Sequence, residues 1–243
     1  MLQWLKQNDG VRLAYRWRVG AGPTLVFLPG YRSDMLGGKA VALDQWCEST
    51  GHALLRLDYS GHGDSEGVFE AGTIGRWTAD ARAVIEAIVP GEKILVGSSM
   101  GGWIALLLAR ELSGLKGLVL IAPAPDFSEE LMWAGLSAAQ QRAVMEQGGV
   151  HLPNPYGDPY WVSRAFIEDG RRHLLLGDAI AVDVPVRLLQ GQEDASVPWR
   201  TSLRIAGKLQ SRDVRINLIK DGDHRLSRPQ DLALLLREIA DLL

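Results

Sequence analysis

The sequence predicts an α/β fold with a mostly parallel central sheet, an N-terminal antiparallel hairpin, helices on both faces and an inserted helical cap. Three observations carry this reading. Short apolar runs bounded by turn residues recur along the chain, which is how strands buried on both faces read. Helical periodicities stand between them, giving the alternation of βαβ crossovers. Residues 124–182 break the rhythm and show no clear buried strand.

Taken in order, Leu2–Lys6 and Val11–Trp17 are strand-like, and Asn8-Asp9-Gly10 between them is a hairpin-turn signal. Thr24–Leu28 is a short apolar strand ending at Pro29-Gly30. A helix over about 36–49 follows, then a strand over His52–Asp58 and the glycine-rich loop SGHGDSEG. Thr73–Ile88 is helical by its apolar spacing. Lys93–Gly97 is a third buried strand of the alternating series, and Ser99–Glu111 a helix. Gly117–Pro123, Pro185–Gly191 and Val214–Ile219 read as further strands, with helices over Trp199–Leu209 and Pro229–Leu243. The whole of 1–243 is expected to be one domain with a cap at about 125–183. That cap reads as helical over Ser128–Gln147 and Tyr160–Arg171, with a Gly/Pro-rich stretch, Gly148–Asp158, between.

Composition excludes several functions. Hydrophobic residues make up 47% of the 243, enough for a sizeable core, and the formal net charge is −3. No dense Lys/Arg run marks a nucleic-acid face; Arg171-Arg172 is the nearest approach. Cys47 is the single cysteine, so neither an intrachain disulfide nor a cysteine-based zinc site is expected. No metal and no cofactor is called for. The N-terminus lacks a signal-peptide pattern, and no stretch of about 18 apolar residues exists to enter a membrane stably. A soluble, cytoplasmic protein is expected.

The chemistry is carried by Gly97-Ser98-Ser99-Met100-Gly101, a G-x-S-x-G pattern. It follows the apolar strand KILV directly and opens a helix, the strand–turn–helix context of a nucleophile elbow in an α/β-hydrolase fold. The tight turn needs small neighbours, which Gly97, Gly101 and Gly102 supply. A serine hydroxyl needs a base within hydrogen-bond reach. Of the five histidines, His52 begins a strand, His62 precedes the serine, and His151 and His173 lie in the cap. His224, on the loop after the last strand, fits the chain order serine, acid, histidine. The acid belongs on the loop after Pro185–Gly191, where Asp194 is favoured and Glu193 is its neighbour and competitor; Asp221 and Asp223 stand too close to His224 in sequence. Backbone N–H groups of Met100 and Tyr31 are the expected oxyanion donors.

The segments FLPGYRSDMLGGKA, LRLDYSGHGDSEG, ILVGSSMGGW, RLLQGQEDASVPW and DGDHRL together resemble one α/β-hydrolase subfamily. It is typified by the mitochondrial palmitoyl-protein thioesterase that also acts as a mycophenolic acid acyl-glucuronide esterase. The similarity runs over nearly the whole chain and is weakest from Phe127 to Leu176. PGY-x-S in place of the common His-Gly pair, and a tryptophan after the double glycine, are its more specific marks. The resemblance implies a serine esterase or thioesterase with the triad Ser99, Asp194 and His224. Its expected partners are small acyl esters or thioesters, or an S-acylated protein. The chain begins at its first strand without a transit peptide, as a bacterial relative would. The cap aromatics Phe127, Trp133, Tyr156, Tyr160, Trp161 and Phe166 line an acyl pocket or form the cap's own core; Trp133 and Trp161 are the candidate substrate contacts. A general short-chain carboxylesterase and a non-catalytic binding module on the same scaffold are the rival readings. An epoxide hydrolase or dehalogenase would carry aspartate where Ser99 stands.

Overall fold

The computed structural model describes residues 1–154 and 157–243. Among the described residues, ten strands and seven α-helices follow one another. The central sheet has eight strands in the order β1-β2-β4-β3-β5-β6-β9-β10. These are β1 (Leu2–Lys6), β2 (Arg12–Arg18), β3 (Ala21–Leu28), β4 (His52–Leu57), β5 (Lys93–Ser98), β6 (Leu115–Ile121), β9 (Val186–Gly191) and β10 (Val214–Ile219). Only β1 and β2 run antiparallel to their neighbours; every pairing from β4 to β10 is parallel. The N-terminal hairpin and the alternating strands thus stand where the sequence puts them.

Successive side chains of a strand point to opposite faces, and the two faces meet different helices. Leu25, Phe27, Ile94, Val96, Val119 and Ile121 pack against α1 (Gly38–Thr50) and α7 (Pro229–Ala240). Val26, Leu28, Leu95, Leu118, Leu120 and Leu188 belong to the larger cluster on the other face. That cluster includes α2 (Ile74–Ile88), α3 (Met100–Leu108) and the cap, and α6 (Arg200–Lys208) contributes Ile205. Because both faces are covered, the central strands are largely apolar, and this made them legible as short runs.

The cap differs from the expected all-helical insertion. A π-helical turn, Ser128–Trp133, leads towards α4 (Ala138–Gln147). The expected single helix is broken at Ser137, whose hydroxyl accepts from the Gln140 N–H while the Gln140 side-chain oxygen accepts from the Ser137 N–H. Next comes an antiparallel hairpin, β7 (Gly149–Asn154) and β8 (Gly157–Ser163), where a Gly/Pro-rich loop and a helix start were expected. Val150 pairs with Val162 and Leu152 with Tyr160, so the apolar period is two. Pro153 and Pro159 masked that period in the sequence. The helix α5 (Arg164–Arg172) starts later than expected, capped by the Ser163 hydroxyl, which accepts from the Phe166 N–H.

Hydrogen bonds close the cap on itself and tie it to the core, where the Gly75 N–H of α2 also donates to Asp169 of α5 at 2.7 Å. The buried carboxylate of Asp126 accepts the N–H groups of Leu175 and Leu176, each at 2.8 Å, tying the cap's two ends together. The Trp103 indole of α3 donates to the His173 carbonyl at 3.0 Å.

Candidate active site

Ser99 stands between β5 and α3 with φ 54 and ψ −117. A non-glycine residue there costs of order 1–3 kcal/mol and persists only where its surroundings hold it. Here the Ser99 N–H donates to the Ile121 carbonyl at 2.8 Å and the Ser99 carbonyl accepts from Gly102 at 2.9 Å. A Cβ on Gly101 would run into the Leu28 and Pro29 carbonyls, and one on Gly97 into the Gly101 backbone. The glycine spacing of the motif is therefore a packing requirement of the turn.

His224 follows β10 and brings its Nε2 to 3.1 Å from Ser99 Oγ. Its Nδ1 lies 2.8 Å from Asp194 Oδ2. The Asp194 side chain has no exposed surface, whereas that of His224 is 27% exposed, so the acid is sealed and the imidazole edge is reachable. The second oxygen of Asp194 accepts the N–H groups of Ser196 and Val197, each at 2.8 Å. Gln190 Nε2 donates to Oδ2 at 2.9 Å and is itself held by the Ser202 hydroxyl. Burial raises the Asp194 carboxyl, but the bonds from His224, Val197 and Ser196 outweigh it and hold the group below its ordinary value. An ionised Asp194 requires a proton on Nδ1 of His224, which leaves Nε2 free to accept from Ser99. Glu193 is exposed, and among the described residues it forms no hydrogen bond or ion pair with His224.

The loop after β3 meets the elbow at Gly30, where a Cβ would sit 3.3 Å from both the Ser98 carbonyl and Ser99 Cβ. The turn closes with the Ser33 N–H donating to the Gly30 carbonyl at 3.1 Å, and Arg32 takes φ 57. The Tyr31 ring packs between Phe69, Trp77, Phe127 and Phe166. His62 supports the same turn: its Nε2 accepts the Arg32 N–H at 3.3 Å while Nδ1 faces the Ser60 carbonyl. Burial pushes the His62 imidazole down to about 4, so it stays neutral. The other histidines lie apart from Ser99. His52 stacks on Trp46, His151 packs on Trp161, and His173 caps α5.

A cavity of 560 Å³ opens from Ser99 and His224 under the cap. Its apolar wall includes Phe127, Leu131, Met132, Leu136, Leu152 and Tyr160. Trp133 and Trp161, the expected substrate contacts, are not part of that wall. Trp161 neighbours Tyr160 on β8 and so points to the opposite face, against His151; Trp133 is turned under the Arg171 guanidinium, 4.6 Å from its ring centre. Of the remaining cap aromatics, Phe166 is buried in the core and Tyr156 lies outside the described residues. Arg171 and Arg172 are engaged by Glu129 and Asp169. Sequence reasoning missed the wall leucines and Met132. Their spacing at 131, 132 and 136 on one helical face was the available signal.

A parallel sheet with helices on both faces and an elbow serine at the carboxyl end of a central strand define the class: the chain belongs to the α/β-hydrolase superfamily. Residues 23–166 match the Hydrolase_4 family, described as serine aminopeptidase, S33. More particularly, the chain is 38% identical to the human mitochondrial palmitoyl-protein thioesterase ABHD10, over all of this chain and 80% of that protein. The structure of mouse ABHD10 superposes with a TM-score of 0.91 at 38% identity, covering 100% of this chain and 98% of that one. A solved hydrolase-fold chain from Agrobacterium vitis S4 superposes at 0.94 with 40% identity, covering the same shares. Among the described residues no helix is long and apolar enough to cross a membrane.

Proposed function

We propose that the protein is a serine hydrolase that cleaves acyl thioesters and activated carboxylic esters through an acyl-enzyme on Ser99. The observation that carries this is the unbroken line from Asp194 through His224 to Ser99 Oγ, at 2.8 and 3.1 Å. In the first half-reaction Ser99 Oγ bonds to the acyl carbon as its proton passes to His224 Nε2. The C–S or C–O bond then breaks, and the leaving thiol or alcohol takes that proton. A water molecule repeats the sequence on the acyl-enzyme, releasing the carboxylic acid and restoring the serine. Asp194 fixes the histidine tautomer and stabilises the imidazolium. The Met100 N–H at the start of α3 and the Tyr31 N–H stabilise the oxyanion.

The acyl chain occupies the apolar cavity under the cap. The relatives named palmitoyl-protein thioesterase support a fatty acyl thioester, free or on a protein, as the substrate class. No nucleic acid, metal or cofactor enters the reaction. The reduced, buried Cys47 suits the cytoplasm, although the named relatives are mitochondrial. A panel of matched acyl thioesters and esters against wild type and Ser99→Ala tests the proposal. Thioester turnover that disappears in the variant supports it; turnover of esters alone would reduce the reading to a general carboxylesterase, and no turnover would leave a binding module.

A further inference from the structure

Ser99 and His224 border a second cavity as well as the apolar one. It has a volume of 240 Å³ and lies between the loop after β3, the first turn of α1 and the segment Arg225–Ser227. Its wall is more polar than that of the cavity under the cap and includes two cations, Lys39 and Arg225. Lys39 Nζ donates to the Arg225 carbonyl at 2.5 Å and lies 3.5 Å from Ser227 Oγ. Among the described residues neither cation forms an ion pair. Asp34, the carboxylate among the lining residues, accepts the Leu36 N–H at 2.8 Å, and Asp223 and Asp231 act on Lys39 without pairing with it.

Further observations point the same way. Burial, then the neighbouring Arg225, hold the Lys39 ammonium down to about 8 against the weaker opposing effect of Asp223 and Asp231, and an anion beside it would favour the charged form. The helix α1 begins at this wall, with no side chain capping Gly37 and no acidic residue in its first turn. Its first N–H groups and its positive dipole end therefore face the same space.

We propose that this second cavity is the leaving-group subsite and that it selects thiols and alcohols bearing a carboxylate or phosphate, held by Lys39 and Arg225. The proposal rests on the acyl-hydrolase reading above. The acyl carbon must sit at Ser99, where the two cavities meet, so its two substituents part there. The apolar chain goes under the cap, and the leaving group goes to the cationic side, beside the histidine that returns its proton. A volume of 240 Å³ admits a short leaving group, with its anion a few bonds from the scissile one.

The test uses three octanoyl thioesters that differ only in the thiol: 3-mercaptopropionate, 2-mercaptoethyl phosphate and uncharged 3-mercaptopropanamide. In wild type at least one anionic thioester should exceed the amide in kcat/KM by about tenfold, as expected of a charge-assisted pair. Lys39→Met should bring that ratio close to one, and Lys39→Glu should invert it. Each ratio is measured on a single preparation, so partial misfolding cancels. Lys116→Met, a surface charge control, should keep the wild-type ratio. A preference for one anion over the other supports the subsite and names its ligand. Equal rates for all three thioesters in wild type, or a preference that survives Lys39→Met, would overturn the proposal. Failure to hydrolyse any of the three would instead defeat the hydrolase reading, and this proposal with it.

Discussion

Leu152 and Tyr160 face each other across the cap hairpin and both line the cavity that opens at Ser99. A one-residue slip of β7 would put His151 in the place of Leu152, and one of β8 would put Trp161 in the place of Tyr160. The register of this small sheet therefore helps to set which side chains line the cavity in which the acyl chain is proposed to lie.

That relationship predicts a chain-length profile. Each methylene buried against the wall contributes about 0.8 kcal/mol, or roughly fourfold in kcat/KM when the burial is realised in the transition state. In a series of p-nitrophenyl esters from acetyl upward, rates should rise and then level as the cavity fills. Leu152→Ala or Leu136→Ala should lower the long-chain rates while leaving acetate hydrolysis nearly intact. Trp133→Ala and Trp161→Ala should leave the profile unchanged. A flat profile in wild type would remove the cavity from acyl recognition.

Asp194→Asn should lower kcat by about 10³–10⁴-fold. The asparagine oxygen still accepts from Ser196 and Val197, but it no longer fixes the protonated Nδ1 of His224. Glu193→Gln should stay near wild type, because Glu193 is exposed. Steady-state kinetics of the two variants decide between them; a crippled Glu193→Gln beside a mild Asp194→Asn would reassign the acid.

His62 predicts a pH dependence of stability. Its folded-state value is pushed by burial from 6.5 down to about 4. Such a group contributes stability that is fully present above its unfolded value and is lost as pH falls through the folded one. Between these limits the loss reaches on the order of 3 kcal/mol. His62→Phe keeps a ring among Tyr59, Phe69 and Trp77, and it removes the titration. Urea unfolding at pH 7 and pH 4 should show a smaller acid loss in the variant than in wild type. Equal losses would contradict the assignment of His62 as a buried neutral imidazole.

The elbow and the parallel strands were legible because their signals are local. Strands buried on both faces are apolar at most positions, and the serine turn demands glycines at fixed spacing. His224 and Asp194 are remote from Ser99 in sequence, and chain order along the sheet edge singled them out. The cap was less legible. Prolines interrupt the alternating apolar positions of β7 and β8, so a two-residue period read as loop and helix. Trp133 and Trp161 were expected as substrate contacts from the density of aromatics in the cap, whereas Trp161 packs on His151 and Trp133 lies under Arg171, and neither lines the cavity. Lys39 and Arg225 gave no signal, since the fold alone brings the start of α1 beside the histidine loop.

The central claim is that Ser99 is the nucleophile, and covalent labelling tests it most directly. Wild-type protein treated with a fluorophosphonate should gain one adduct by intact mass, and peptide mapping should place it on Ser99. Ser99→Ala should remain unlabelled, and Asp194→Asn should label far more slowly. Undiminished labelling of Ser99→Ala, or an adduct mapped to Ser98, would contradict the account.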